Sequence, residues 1–145
     1  MPEDARVLTE TVIQLRRALR RGIRADIAWE SLPMAQVELL QCLVETSPAR
    51  VNDLADRLRL AQSTVSGLVG QMMSAGLVDR EVDPADRRAA VVTVTVAGGR
   101  RLAEWEDAHV RRIGGALAEL DPTDRTAIST ALPALQRLTG ILART

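Results

Sequence analysis

Apolar residues recur every three or four positions early in the chain: Val7/Leu8, Val12, Leu15, Leu19, Ile23 and Ile27. That is the period of one helical face, and it predicts a single long helix over about 6–29. The other face carries Arg16, Arg17, Arg20, Arg21 and Arg24. Ser31-Leu32-Pro33 punctuates the chain. Ser31 suits a helix cap, and Pro33 suits the first turn of the helix that follows. That second helix, about 33–46, carries Val37, Leu40, Leu43 and Val44, and Ser47-Pro48 ends it.

Residues 51–58 read as a short helix with Leu54, Ala55 and Leu58 on one side and Asn52 as its N-cap. Arg59-Leu60-Ala61 makes a turn. A further helix from about Gln62 to Ala75 turns Val65, Leu68, Val69 and Met72 inward, and Gly76 is its left-handed stop. The period then drops to two. Leu77–Val82 alternates apolar and polar, as does Ala90–Val96, which is rich in β-branched residues. Asp83-Pro84-Ala85-Asp86-Arg87-Arg88 is the polar loop between them, so a hairpin with a charged tip is expected. Ala97-Gly98-Gly99 breaks the second strand. Helical spacing resumes from Arg100 to Leu120. Asp121-Pro122-Thr123-Asp124 caps a last helix along Ile128, Leu132, Leu135, Leu138 and Leu142, which Pro133 should kink.

These elements predict one mainly α domain with a small β-hairpin. Its centre, about 33–99, holds two short helices and the hairpin; helices at 6–29 and 100–143 flank it. The flanking stripes exceed what a chain of 145 residues buries internally. Two chains exchanging them would bury both, so a homodimer is expected.

Composition narrows the function. Hydrophobic residues make up 46% and charged residues 26%, an ordinary soluble balance. No apolar run approaches the roughly 18–20 residues of a membrane span. Met1-Pro2-Glu3-Asp4 is acidic with no signal-peptide core behind it. A cytoplasmic protein without a membrane partner is expected. Cys42 is the single cysteine and His109 the single histidine, too few for a Cys/His zinc site. There is no Gly-rich phosphate loop and no paired catalytic motif, so no cofactor, metal, catalytic residue or enzymatic activity is expected. Net charge is zero and the pI is about 6.6, without the bulk attraction of a strongly basic protein for nucleic acid. Any DNA binding must come from local placement of the basic residues, all of which are arginine. The chain has no Phe or Tyr, so stacking platforms for single strands are missing.

Local chemistry does point to duplex DNA. A helix entering a major groove needs short polar side chains near its N-terminus. Gln62, Ser63, Thr64 and Ser66 fit that need, with Gln71 further along; Ser63 and Thr64 would alternatively only cap the helix. Arginines at a hairpin tip can enter a narrow minor groove, and Arg87 and Arg88 stand there beside Asp86; the bland alternative is a solvated charged turn. Arg50, Arg57 and Arg59 flank the helix pair, as phosphate contacts or as solvated surface.

Residues 51–99 carry a resemblance. Val51-Asn52-Asp53-Leu54-Ala55-Asp56-Arg57-Leu58, then Gln62-Ser63-Thr64-Val65-Ser66 and Ala75-Gly76-Leu77-Val78, resemble the helix-turn-helix of the MarR family. Asp83 to Arg88, Val92 to Val96 and Ala97-Gly98-Gly99 resemble its wing. The resemblance implies a winged helix-turn-helix with N- and C-terminal dimerisation helices. It also implies a dimeric transcriptional regulator on a palindromic double-stranded DNA operator, often a repressor released by a small aromatic ligand or an oxidant. In the family Asp86 would orient Arg88. The chain departs from the pattern where Gly67 and Gln71 replace the family's basic residues, and Ala85 another. That departure keeps a second reading open, a winged-helix interaction module with weak or lost DNA binding. Cys42 lies in the apolar run from Leu39 to Val44 and is expected to be buried and inert. His109 and Trp105, one turn apart, are expected to pack. Trp29 is the better candidate for lining a ligand pocket.

Overall fold

The structure, a computed structural model, describes residues 1–26 and 32–145. The expected Ser31 cap and the positions of Ile27 and Trp29 lie outside them. In chain order the described elements are α1 (Pro2–Asp26), α2 (Met34–Thr46), β1 (Ala49–Arg50), α3 (Val51–Leu58) and α4 (Gln62–Ser74). They continue with β2 (Val78–Asp83), β3 (Asp86–Val94), α5 (Val96–Glu119) and α6 (Pro122–Leu142). The fold is mainly helical with one small antiparallel sheet of strand order β1-β3-β2. These residues group into two compact units, one of residues 20–108 and one of residues 1–19 with 109–145.

The unit of residues 20–108 is built on an apolar core. Val37, Leu39, Leu40 and Leu43 of α2 pack with Leu54 of α3, with Val65, Val69 and Met72 of α4, and with Val78 and Val92 of the sheet. The α4 set follows the i, i+4, i+7 spacing of one helical face. Val44, expected inside, is exposed, and Leu39 takes its place. Cys42 and Trp105 are half-buried against this core, and the Cys42 Sγ lies 4.0 Å from the Thr46 hydroxyl.

Several element ends differ from expectation. Pro33 is the N-cap of α2 rather than its first turn. Arg50, not Asn52, occupies the N-cap of α3, because Ala49 and Arg50 are already held as a short strand paired with Val92 and Val91. No sequence periodicity can show a two-residue strand. The second long strand stops at Val94 rather than Val96, and α5 starts at Val96 rather than about Arg100, so Ala97-Gly98-Gly99 lies in its first turn. The reason is Thr95. Its hydroxyl accepts the Gly98 N–H at 3.0 Å and donates to the Gly76 carbonyl at 2.7 Å, which caps α5 and ties it to the end of α4. Gly98 is required there, since a Cβ would collide with the Leu77 carbonyl oxygen.

The second unit is helical. Its part of α1 exposes Val7, Leu8, Val12, Ile13 and Leu15, and α6 buries none of its residues. Asp121 caps α6 by accepting the N–H groups of Thr123 and Asp124, as its sequence suggests. The helix runs on through Pro133.

Candidate nucleic-acid interface

Helices α3 and α4 and the β2–β3 hairpin share the 20–108 unit. On α4 the inward positions are taken by Val65, Val69 and Met72, which leaves Gln62, Ser63, Thr64, Ser66 and Gln71 all exposed. Ala61 is the N-cap of α4, and no side chain caps the helix. Ser63 and Thr64 are therefore not spent on capping. Gly67 and Gly70 face open space. The face offers hydroxyls, two amides and two bare backbone positions, but no charge: residues 60–78 contain no ionisable side chain.

The hairpin differs from the expected six-residue loop. Asp83 pairs directly with Asp86, so Pro84 and Ala85 alone form the turn. The ladder then steps from Asp83–Asp86 to Val82–Ala90. Arg87, Arg88 and Ala89 have no partner on β2, and they form a bulge on β3 just beyond the turn. Both arginines are exposed on it. Asp86 fixes the bulge through the main chain: its Oδ1 accepts the Arg88 N–H at 3.0 Å.

Asp83 shapes the hairpin. Its Oδ1 accepts the Ala85 N–H at 2.9 Å, closing an Asx-type turn around Pro84. Its Oδ2 accepts from Arg50 twice, at 2.9 Å from Nε and 2.6 Å from the terminal nitrogen. The Ala85 N–H and then the Arg50 guanidinium hold this nearly buried carboxyl below the usual carboxylate range. The same bond raises the Arg50 guanidinium above its ordinary value. Arg50 is thus an internal partner of the wing. Sequence reasoning placed it among surface arginines because the two residues lie 33 positions apart. Arg57 and Arg59 remain exposed at the end of α3.

A family model, that of the MarR family, matches residues 32–90, from α2 through the hairpin. Over those residues the chain is similar to MarR-family transcriptional regulators. The Bacillus subtilis HTH-type transcriptional regulator YxaD, itself uncharacterised, is 26% identical over 127 residues, covering 86% of this chain and 89% of its own. Two solved structures share the fold. A MarR family protein from Bacillus stearothermophilus has a TM-score of 0.76 at 21% identity, over 97% of this chain and 98% of its own. A putative transcriptional regulator from Pseudomonas aeruginosa has a TM-score of 0.81 at 24% identity, over 94% of each chain. The described residues include no group of three or more His, Cys, Asp or Glu that could hold a metal ion. None of their helices is long and apolar enough to cross a membrane.

Proposed function

We propose that this regulator is a homodimer that binds a palindromic duplex-DNA operator, with α4 in the major groove and the β2–β3 wing in the minor groove. The observation that carries the reading is the exposure, within one unit, of the uncapped polar face of α4 and of Arg87 and Arg88 on their bulge. Gln62, Ser63, Thr64, Ser66 and Gln71 meet base edges and phosphates, and Arg88, its main chain fixed by Asp86, enters the narrow groove with Arg87 on a phosphate. Residues 33–99 act as the DNA-binding part. Helices α1, α5 and α6 dimerise, which would cover the leucines and isoleucines they expose. Repression, and release by a small aromatic ligand, belong to the same proposal and rest on the MarR likeness alone.

The neutral α4 favours one second reading, a winged-helix module that binds protein and has lost tight DNA binding. A mobility shift separates the two. Wild type and Arg88→Ala are titrated against DNA from the region upstream of the protein's own gene and against a random duplex library, across a salt series. Salt-sensitive, sequence-selective binding that Arg88→Ala weakens supports the regulator. No binding even at low salt supports the interaction module.

A further inference from the structure

A side chain from the start of α3 fastens the wing across the sheet. Arg50 of β1 pairs with Val91 of β3, and Val91 pairs on its other side with Glu81 of β2. Glu81 is therefore the carboxylate in the row of Arg50. The bonded carboxylate is Asp83, two residues nearer the turn, reached through Nε at 2.9 Å and a terminal nitrogen at 2.6 Å. The bond spans β3 close to where its pairing fails. The ladder jumps from Val82–Ala90 to Asp83–Asp86, and Arg87, Arg88 and Ala89 have no partner on β2.

A bulge lacks the ladder bonds that would set its direction. Two carboxylates stand in for them here. Asp86 accepts the Arg88 N–H, and Asp83 holds the start of the turn, one oxygen on the Ala85 N–H and the other on Arg50. Arg50 is the N-cap of α3, so the wing is pinned to the unit that presents α4. The charge of Arg50 is already matched. Its bond to Asp83 holds the guanidinium above its ordinary pKa, and Asp86 and Asp53 add to that pull. Phosphate contacts carry no sequence information directly, whereas an arginine reads minor-groove width by lying in the groove. Reading width depends on where the wing holds Arg88; attraction to phosphates does not.

We propose that Arg50 and Asp83 set the sequence selectivity of the wing without touching DNA: as positioning residues they hold the Arg87–Ala89 bulge so that Arg88 discriminates a narrow, A·T-rich minor groove from a wider one. The inference rests on the DNA-binding reading above. Its test uses a duplex that the wild-type protein selects from a random library, and a second duplex in which the A·T pairs flanking the half-sites are changed to G·C. Wild type should select A·T pairs there and bind the second duplex about fivefold or more weakly. Arg50→Met, and Asp83→Asn, which keeps an oxygen for the Ala85 N–H, should bind the two duplexes within about twofold of each other. Each variant is assayed below its own melting temperature. Arg50→Met should keep the wild-type slope of log K against log salt, since no phosphate contact is lost. In an Arg88→Ala background Arg50→Met should cost no further selectivity.

Full selectivity in both folded variants overturns the positioning role. So does a further loss in the Arg88→Ala background, because the pair then acts by another route. A slope lower by about 0.9 per protomer in Arg50→Met makes Arg50 a phosphate contact and overturns the inference as well. A selected duplex without A·T preference beside its half-sites overturns this inference and leaves the DNA-binding reading standing. A wild-type protein that selects no duplex at low salt overturns both.

Discussion

Arg50 on β1 is bonded through two nitrogens to one carboxylate oxygen of Asp83 on β2, although β3 lies between those strands in the sheet. The other oxygen of Asp83 closes the hairpin turn on the Ala85 N–H. One carboxylate therefore fixes the turn and ties the wing to the N-cap residue of α3. The Arg87–Ala89 bulge sits directly beyond this anchor, so the direction in which the wing arginines point depends on it.

The anchor predicts a specific acid sensitivity. The Asp83 carboxyl is held below its ordinary value by the Ala85 N–H and by Arg50. A group whose folded pKa is lowered contributes stability above its unfolded pKa and loses it as pH falls through the folded one. The raised Arg50 works in the alkaline range and adds nothing to the acid limb. Wild type should be more stable than Asp83→Asn at neutral pH, and the gap should close as pH falls below about 4. Thermal melts of both proteins at neutral pH and below 4 check this. A gap that stays constant across that range rules out the ionised carboxylate as its source.

Arg88→Ala should leave the melting temperature and oligomeric state within error of wild type, since Arg88 is exposed and what Asp86 bonds is its main chain. Operator binding should weaken by at least tenfold, in the range of about 1–3 kcal/mol for a lost groove contact. Fluorescence anisotropy on a labelled duplex measures it. Unchanged affinity would remove the wing from the interface.

Much of this arrangement was legible in the sequence because burial writes periodicity. Val65, Val69 and Met72 face the core at helical spacing, and the exposed set Gln62, Ser63, Thr64, Ser66 and Gln71 is what remains on the opposite side. Gly76 stands at the left-handed stop that its position predicted. What stayed hidden depends on contacts between distant residues. The β1 strand exists only because β3 pairs with it, and the Arg50–Asp83 bond spans 33 residues. The shortening of the loop to Pro84-Ala85 follows from Asp83 pairing with Asp86, a register that alternation alone does not set. Thr95 carried a local signal that was available: a threonine three residues before Gly98, bounding a helix that starts earlier than its apolar stripe.

Gly98 and Gly99 are adjacent, and opposite outcomes are expected from the same substitution. A Cβ on Gly98 meets the Leu77 carbonyl, which is backbone and cannot step aside without disturbing the α4–β2 junction. Gly98→Ala should destabilise by about 1–3 kcal/mol, the usual range for forcing atoms into a packed site. A Cβ on Gly99 meets nothing within 4 Å, and the residue is helical, so Gly99→Ala should stabilise by up to about 1 kcal/mol. Urea denaturation of the two variants against wild type decides it. Equal effects would show that Leu77 and α5 do not approach so closely.

The terminal helices supply the last test. Leu132 and Leu135 of α6 lie three residues apart on one stripe and are 49% and 41% exposed in the single chain. Covering a leucine contributes roughly 1.5–3 kcal/mol. If α6 lies in the dimer interface, the double substitution Leu132→Glu, Leu135→Glu removes several kcal/mol from association and at least a hundredfold from the dimer Kd. The 20–108 unit keeps its own core, so its α2–α4 packing should survive the change. Sedimentation velocity should then show a wild-type dimer and a monomeric variant with its helical circular dichroism largely retained. Operator affinity should fall with dimerisation, because a palindrome is read by two recognition helices about 34 Å apart and one protomer reaches only half of it. A wild-type protein that sediments as a monomer at micromolar concentration, or a variant that remains a dimer, would place the exposed leucines outside any self-association surface.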